Sequence, residues 1–195
     1  MFNTFCRTVA TAAVLLGMVG SAAVAGDRHL FGDVGLVGKN ADRYEVRLGL
    51  ASYDTGIFSH KDYDGAVING EFVMPSPDFL YDLGSPRPYI GVDIGIADDP
   101  VHFFYAGLNW ETYFTDKIYL SNSLGGSINT ADDLKHPDDT KALGCRALFH
   151  LGIGLGYDIT ESVTTQLYAD HFSNANLCSE NNGQESAGIR VGYRF

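Results

Sequence analysis

Between Ala169 and Ser186 the sequence places a histidine, a serine and a glutamate, His171, Ser173 and Glu185, at spacings that one β-hairpin would bring together. In an extended strand, side chains two residues apart share a face, with their Cα atoms about 6.6 to 6.8 Å apart. An imidazole bends across that distance to a hydroxyl. If His171 and Glu185 are cross-strand neighbours, the hairpin is centred on Cys178, and matched parity keeps all three side chains on one surface. A hydroxyl, an imidazole and a carboxylate so arranged are a nucleophile, a general base and the group that orients the base.

Such an arrangement needs strands to hold it, and the chain downstream of residue 41 is built of alternating segments about ten residues long. Eight are read, at roughly 42 to 54, 64 to 77, 87 to 97, 101 to 114, 117 to 130, 145 to 159, 162 to 175 and 185 to 195, with no helical stretch of 3.6 periodicity between them. In the first, Tyr44, Val46, Leu48 and Leu50 alternate with Arg43, Glu45 and Arg47; in the last, Ala187, Ile189, Val191, Tyr193 and Phe195 alternate with Ser186, Arg190 and Arg194. An even count suits a closed antiparallel barrel, which leaves no unpaired edge. A soluble β-sandwich would also alternate. It fits less well, because the polar faces carry charges of both signs with many Gly and Ser, and the chain ends on an aromatic, Phe195. The fold class expected is therefore an all-β, eight-stranded antiparallel transmembrane barrel. Thr115-Asp116 and Thr160-Glu161 are short turns for the periplasmic side, whereas Asp54 to Tyr63 and the acidic Ala131 to Gly144 are long and external. Pro75 to Pro86 is longer than a tight turn, and residues 26 to 41 stay unassigned: their glycines argue against a helix, and extension of the first strand is open.

The N-terminus sets the compartment. Arg7 precedes the apolar run Val9 to Val19, and Ala23-Val24-Ala25 is a small-residue cleavage signal, so residues 1–25 read as a secretory signal peptide and 26–195 as the barrel domain. Cleavage after Ala25 removes Cys6 and leaves 170 residues with 12 basic and 24 acidic side chains, net −12. That balance, without a basic run, argues against nucleic acid as a partner. Cys145 and Cys178 then remain in an exported protein, where a disulfide is chemically permitted. Both fall at the external ends of neighbouring strands, and a bridge and two free thiols stay equally open, since geometry decides.

Other motifs carry no chemistry. Gly152-Ile153-Gly154-Leu155-Gly156 lies inside a strand with no following helix, so it reads as close-packed barrel wall and not as a dinucleotide fingerprint. Asp132, Asp133, His136, Asp138 and Asp139 lack the spaced ligands of an EF-hand and read as a solvated acidic loop. His29, His60, His102 and His150 have no ligand-spaced partner, and no metal site is assigned.

Parity gives the candidate triad its meaning. Val163, Leu167 and Ala169 form the apolar, outward face of the seventh segment, and His171 and Ser173 continue it. Polar residues that only mark where strands leave the bilayer would not need to be His, Ser and Glu together at one external end. A triad at headgroup depth on the outer wall meets membrane lipid, so the chemistry that suits it is ester hydrolysis of a lipid acyl chain.

His171-Phe172-Ser173-Asn174-Ala175 followed by Asn181-Asn182-Gly183-Gln184-Glu185-Ser186 resembles the terminal signature of the PagL-type lipid A 3-O-deacylases. The resemblance implies an eight-stranded outer-membrane barrel that hydrolyses the ester-linked hydroxyacyl chain at the 3-position of lipid A. It implies Ser173 as nucleophile, His171 as general base and Glu185 as the orienting residue, with Asn181 and Asn174 as oxyanion or substrate-binding residues and no metal or organic cofactor. Asn176 stands where family members often carry Gly, and Cys178 is unusual in that loop. The partner implied is lipopolysaccharide in the outer leaflet; monomer and homodimer stay open. Two other classes also stay open: a non-catalytic structural or adhesive barrel, and a phospholipase-type barrel enzyme.

Overall fold

In the computed structural model, which describes residues 28–31, 34–55, 63–135 and 141–195, ten strands form one sheet. They are β1 (Arg28–Phe31), β2 (Val34–Val37), β3 (Glu45–Asp54), β4 (Tyr63–Val73), β5 (Arg87–Ile96), β6 (Phe103–Tyr113), β7 (Ile118–Asn129), β8 (Ala147–Asp158), β9 (Val163–Ser173) and β10 (Gln184–Arg194). From β3 to β10 each strand pairs antiparallel with its successor, and β10 returns to β3, which closes an eight-stranded barrel. The signal-peptide segment, residues 1–25, lies outside the described residues, as do His60, His136, Asp138 and Asp139.

The eight long strands coincide with the alternating segments. β4 stops at Val73, short of the expected 77, because Pro75 and Pro77 cannot donate to a ladder. The chain instead enters a 3₁₀ turn, Asp78–Leu83, that ends on Gly84 in the left-handed conformation. Arg28–Phe31 and Val34–Val37 do not extend the first strand, the option left open for this unassigned segment. β1 and β2 form a separate hairpin whose Leu36 and Val37 pair with Tyr113 and Thr112 of β6. The reason is geometric: β5 begins at Arg87 opposite Asn109, so the last residues of β6 would otherwise present a bare edge.

Alternation sorts the side chains by solvent. Leu48, Leu50, Leu124, Ile153, Leu167 and Ile189 stand exposed on the outer wall, as a lipid-facing surface requires. The lumen is filled. In its lower half four guanidiniums, of Arg47, Arg87, Arg190 and Arg194, meet four carboxylates, of Glu45, Glu71, Glu111 and Asp158, at 2.6 to 3.5 Å. Buried charges persist because each is paired; removing one partner would cost roughly 3–5 kcal/mol. Toward the other end the lumen becomes aromatic, with Tyr89, Phe103, Tyr105 and Phe172 packed together. Gly156 makes room for this filling: a Cβ there would lie 2.1 Å from the Tyr119 ring, so the glycine-rich run of β8 is packed wall.

Candidate active site

The site forms where β9 and β10 reach the end of the barrel that carries the long connections. Register pairs Glu185 directly with His171, which centres the hairpin on Cys178. On the other side of β9, Ser173 lies opposite Phe149 and His171 opposite Leu151. The three polar side chains therefore share one face with the apolar outer wall.

Their hydrogen bonds run in one chain. His171 Nδ1 lies 2.9 Å from Glu185 Oε1, and His171 Nε2 lies 2.9 Å from Ser173 Oγ. In the tautomer whose Nδ1–H donates to Glu185, the Nε2 lone pair accepts the serine O–H. The sequence reading set all three side chains out on the surface, but only two are there. The His171 side chain is 25% exposed and that of Glu185 only 2%. Glu185 keeps its outward parity yet is roofed over, because the end of β3 and Lys141 close on it. Its backbone carbonyl accepts from Thr55 N–H, and Lys141 Nζ stands 3.6 Å from its Oε2. Lys141 also meets Asp54 at 2.8 Å. Sequence parity finds neither Lys141 nor Asp54; the first is in a long loop, and the second reaches the site only through barrel closure.

The 174–183 connection is held by one buried residue. Asn174 Nδ2 donates to the carbonyls of Leu143 and Glu180, at 2.8 and 2.6 Å, and its backbone N–H donates to Asn181 Oδ1 at 2.8 Å. Both amide hydrogens of Asn174 are thus spent on carbonyls. This side chain braces the loop and offers no donor to a substrate, unlike the oxyanion or substrate-binding role the resemblance implies for it. Asn181 differs: it lines the recess beside Ser173, and its Nδ2 donates one hydrogen to Asn176 Oδ1 at 3.2 Å. Ala175 and Asn176 are both left-handed, at φ 53° and 62°. Glycine is the usual residue for such a position and asparagine the next most tolerated, which accounts for Asn176 where a glycine is expected.

The 130–146 connection is clamped against the same loop. Asn182 N–H donates to Ala142 O at 3.2 Å, and Cys145 and Cys178 are joined, with Cα atoms 6.1 Å apart, within the span of a disulfide. Gly144, at φ 74°, approaches so closely that a Cβ would lie 2.0 Å from Glu180 O. Beside the triad opens a recess of about 570 Å³, with Leu151, Ile153 and Ala169 on its apolar side and His171, Ser173 and Asn181 on its polar side. A serine with a paired imidazole, facing an apolar recess on a lipid-exposed wall, can transfer an acyl group from an ester whose chain lies against that wall.

Comparisons with known proteins bear on the family pattern and the fold. The family model described as lipid A 3-O-deacylase (PagL) matches residues 101–194, which span β6 to β10 and include the triad. No curated protein matches the chain. Among solved structures, the outer membrane enzyme PagL superposes with a TM-score of 0.56 at 15% identity, over 76% of this chain and 98% of that one. The N-terminal β-barrel domain of Pseudomonas aeruginosa OprF gives 0.54 at 13% identity, over 79% and 98%. Neisserial surface protein A gives 0.50 at 13%, over 79% and 97%. At these identities the structures speak for the fold, that of small outer-membrane barrels. From residue 101 to residue 194 this chain carries the PagL family pattern, on a barrel whose fold that enzyme shares.

Proposed function

We propose that this protein is an outer-membrane esterase that hydrolyses the 3-O-linked hydroxyacyl chain of lipid A by a Ser-His-Glu mechanism. The observation that carries the proposal is the single imidazole held at 2.9 Å from both Glu185 and Ser173, opening onto the lipid-facing recess. The family match supplies the substrate class.

In the first half-reaction Ser173 Oγ attacks the ester carbonyl and His171 Nε2 takes the serine proton. Charge grows on the carbonyl oxygen, and the role of donor to it goes to the amide of Asn181, which lines the same recess as Ser173. Collapse of the tetrahedral species breaks the bond to the sugar oxygen, which takes the proton back from Nε2 and leaves as the 3-hydroxyl. Water then attacks the serine ester with the same base, releasing a 3-hydroxy fatty acid and restoring Ser173. Through both halves the Glu185 carboxylate faces Nδ1 and favours the imidazolium. Because the site lies on the outer wall, lipid reaches it sideways within the leaflet, and the filled lumen takes no part.

The test offers lipid A and phospholipid side by side to the detergent-folded protein and reads products by mass spectrometry. Expected is loss of one hydroxyacyl chain from lipid A with release of a 3-hydroxy fatty acid, abolished in Ser173→Ala. A folded Ser173→Ala barrel that still releases the acid would sink the mechanism. Hydrolysis of phospholipid alone would move the protein to the phospholipase class, and no hydrolysis of either would favour a structural or adhesive barrel.

A further inference from the structure

Behind Glu185, on the side away from His171, sits a charge cluster that an ordinary three-residue mechanism does not include. Lys141 Nζ lies 2.8 Å from Asp54 Oδ2 and 3.6 Å from Glu185 Oε2, and all three side chains are almost fully buried. Asp54 ends β3, Glu185 is the second residue of β10 and Lys141 lies between β7 and β8, so three distant segments converge on one point. The backbone reinforces the convergence: Thr55 N–H donates to Glu185 O at 3.0 Å, and Glu185 N–H approaches Asp54 Oδ1 at 3.5 Å.

Two carboxylates packed this closely away from water repel one another unless a cation stands between them. Among the described residues Lys141 stands there. Lys141 also occupies the Oε2 side of Glu185, so Oε1 is the oxygen turned to His171 Nδ1.

We propose that Lys141 is a positioning residue of the esterase site: paired with Asp54, it holds the Glu185 carboxylate aimed at His171. The proposal rests on the Ser-His-Glu reading and adds to it two residues that do not themselves line the recess. Charge balance is its content, and that makes it separable from mere support of the loop. Removing Lys141 takes the cation from between two buried carboxylates; removing the Asp54 carboxylate as well relieves their repulsion.

The experiment measures release of 3-hydroxy fatty acid from lipid A, with kcat and KM separated and folding scored by the mobility of the unheated barrel. Lys141→Met is expected to lose roughly 10- to 100-fold in kcat, the size of coupling seen between residues in one buried network, with KM little changed. Lys141→Arg should recover most of that loss. The double variant Lys141→Met with Asp54→Asn should turn over at least about tenfold faster than Lys141→Met alone, a rescue that loss of a structural brace would not produce. If Lys141→Met does not fold, a folded and active double variant supports the proposal equally. A folded Lys141→Met barrel with wild-type kcat overturns it, and so does a double variant that is unfolded or no faster than the single one. A wild-type protein without ester hydrolysis overturns the mechanism and this assignment together, whereas an active wild type with an unimpaired Lys141→Met overturns this assignment alone.

Discussion

Two chains of carboxylate, imidazole and hydroxyl cross this barrel back to back. On the outer wall Glu185, His171 and Ser173 are linked at 2.9 and 2.9 Å; in the lumen Asp170, His150 and Tyr89 are linked at 3.1 and 2.7 Å. Asp170 and His171 are consecutive residues of β9, so alternation alone sends one to each side. The difference is in what surrounds the imidazole. His150 is wholly buried, its ring centroid 4.8 Å from that of Phe172 and 4.2 Å from that of Tyr105. Its hydroxyl partner is a phenol among aromatic rings, with no space for a carbonyl. His171 keeps a quarter of its side chain exposed, and its hydroxyl partner is an aliphatic alcohol beside an apolar recess. On the function proposed above, access and the kind of hydroxyl are what separate a catalytic hydrogen-bond chain from a packed one.

The sharpest way to break that comparison is to remove each imidazole in turn. His171→Ala is expected to lower lipid A deacylation by about a thousandfold or more, because serine without a base is a poor nucleophile at neutral pH. His150→Ala should keep kcat within roughly threefold while costing about 1–3 kcal/mol of stability, as a buried polar network loses a member. Turnover of lipid A and the thermal midpoint of the folded barrel read the two effects separately. A folded His150→Ala protein without activity would show that the lumen chain takes part in the chemistry.

A smaller contrast is expected from the carboxylates. Glu185→Gln should cost on the order of a hundredfold in kcat, since an amide still reaches Nδ1 but cannot balance the imidazolium, and triad members act as a unit whose losses do not add. Asp170→Asn faces a histidine that never meets substrate, so its kcat should stay within about threefold. Glu185 is also paired with Lys141 and buried, so the unheated mobility of its variant must be checked before its rate is read. Equal losses from the two substitutions in folded protein would erase the distinction between the faces.

Much of this comparison was open to sequence reasoning, for a physical reason. The period-two pattern that marks a strand also assigns faces, so His171 and Ser173 on one side of β9, and the eight-strand barrel itself, follow from spacing. The His171–Glu185 pairing needs only a hairpin, a local structure whose register is set over 14 residues. Asp54 was hidden because it meets Glu185 through the β3–β10 pairing that closes the barrel, a contact across most of the chain. Lys141 was hidden because a loop has no periodicity to read. The same gap hid the burial of Glu185: parity gives its direction, but its cover comes from those two distant segments. The β1–β2 hairpin escaped as well, since its four-residue strands are too short to alternate and are ordered by the edge of β6 that they cap.

The smallest effect expected concerns Cys145 and Cys178, which join the two connections flanking the outer-wall site. Their sequence separation is 33 residues, so by the loop-entropy account a bridge restricts the unfolded chain by about 3 to 4 kcal/mol. Little of that reaches the reacting atoms. The 174–183 connection is already held by the amide of Asn174, and Asn182 N–H ties it to Ala142 independently of sulfur. Cys178→Ser should therefore change kcat by no more than about threefold while making the folded barrel easier to cleave in that connection, because local opening depends on what holds a segment down. The bridge itself is checked by thiol labelling of unreduced, denatured protein that begins at Gly26. No labelled cysteine is expected, and two per chain would show that both thiols are free. If the bridge is present and Cys178→Ser nevertheless loses activity as severely as His171→Ala, the outer-wall site depends on its covalent clamp, and the contrast with the sealed lumen chain is one of tethering as well as access.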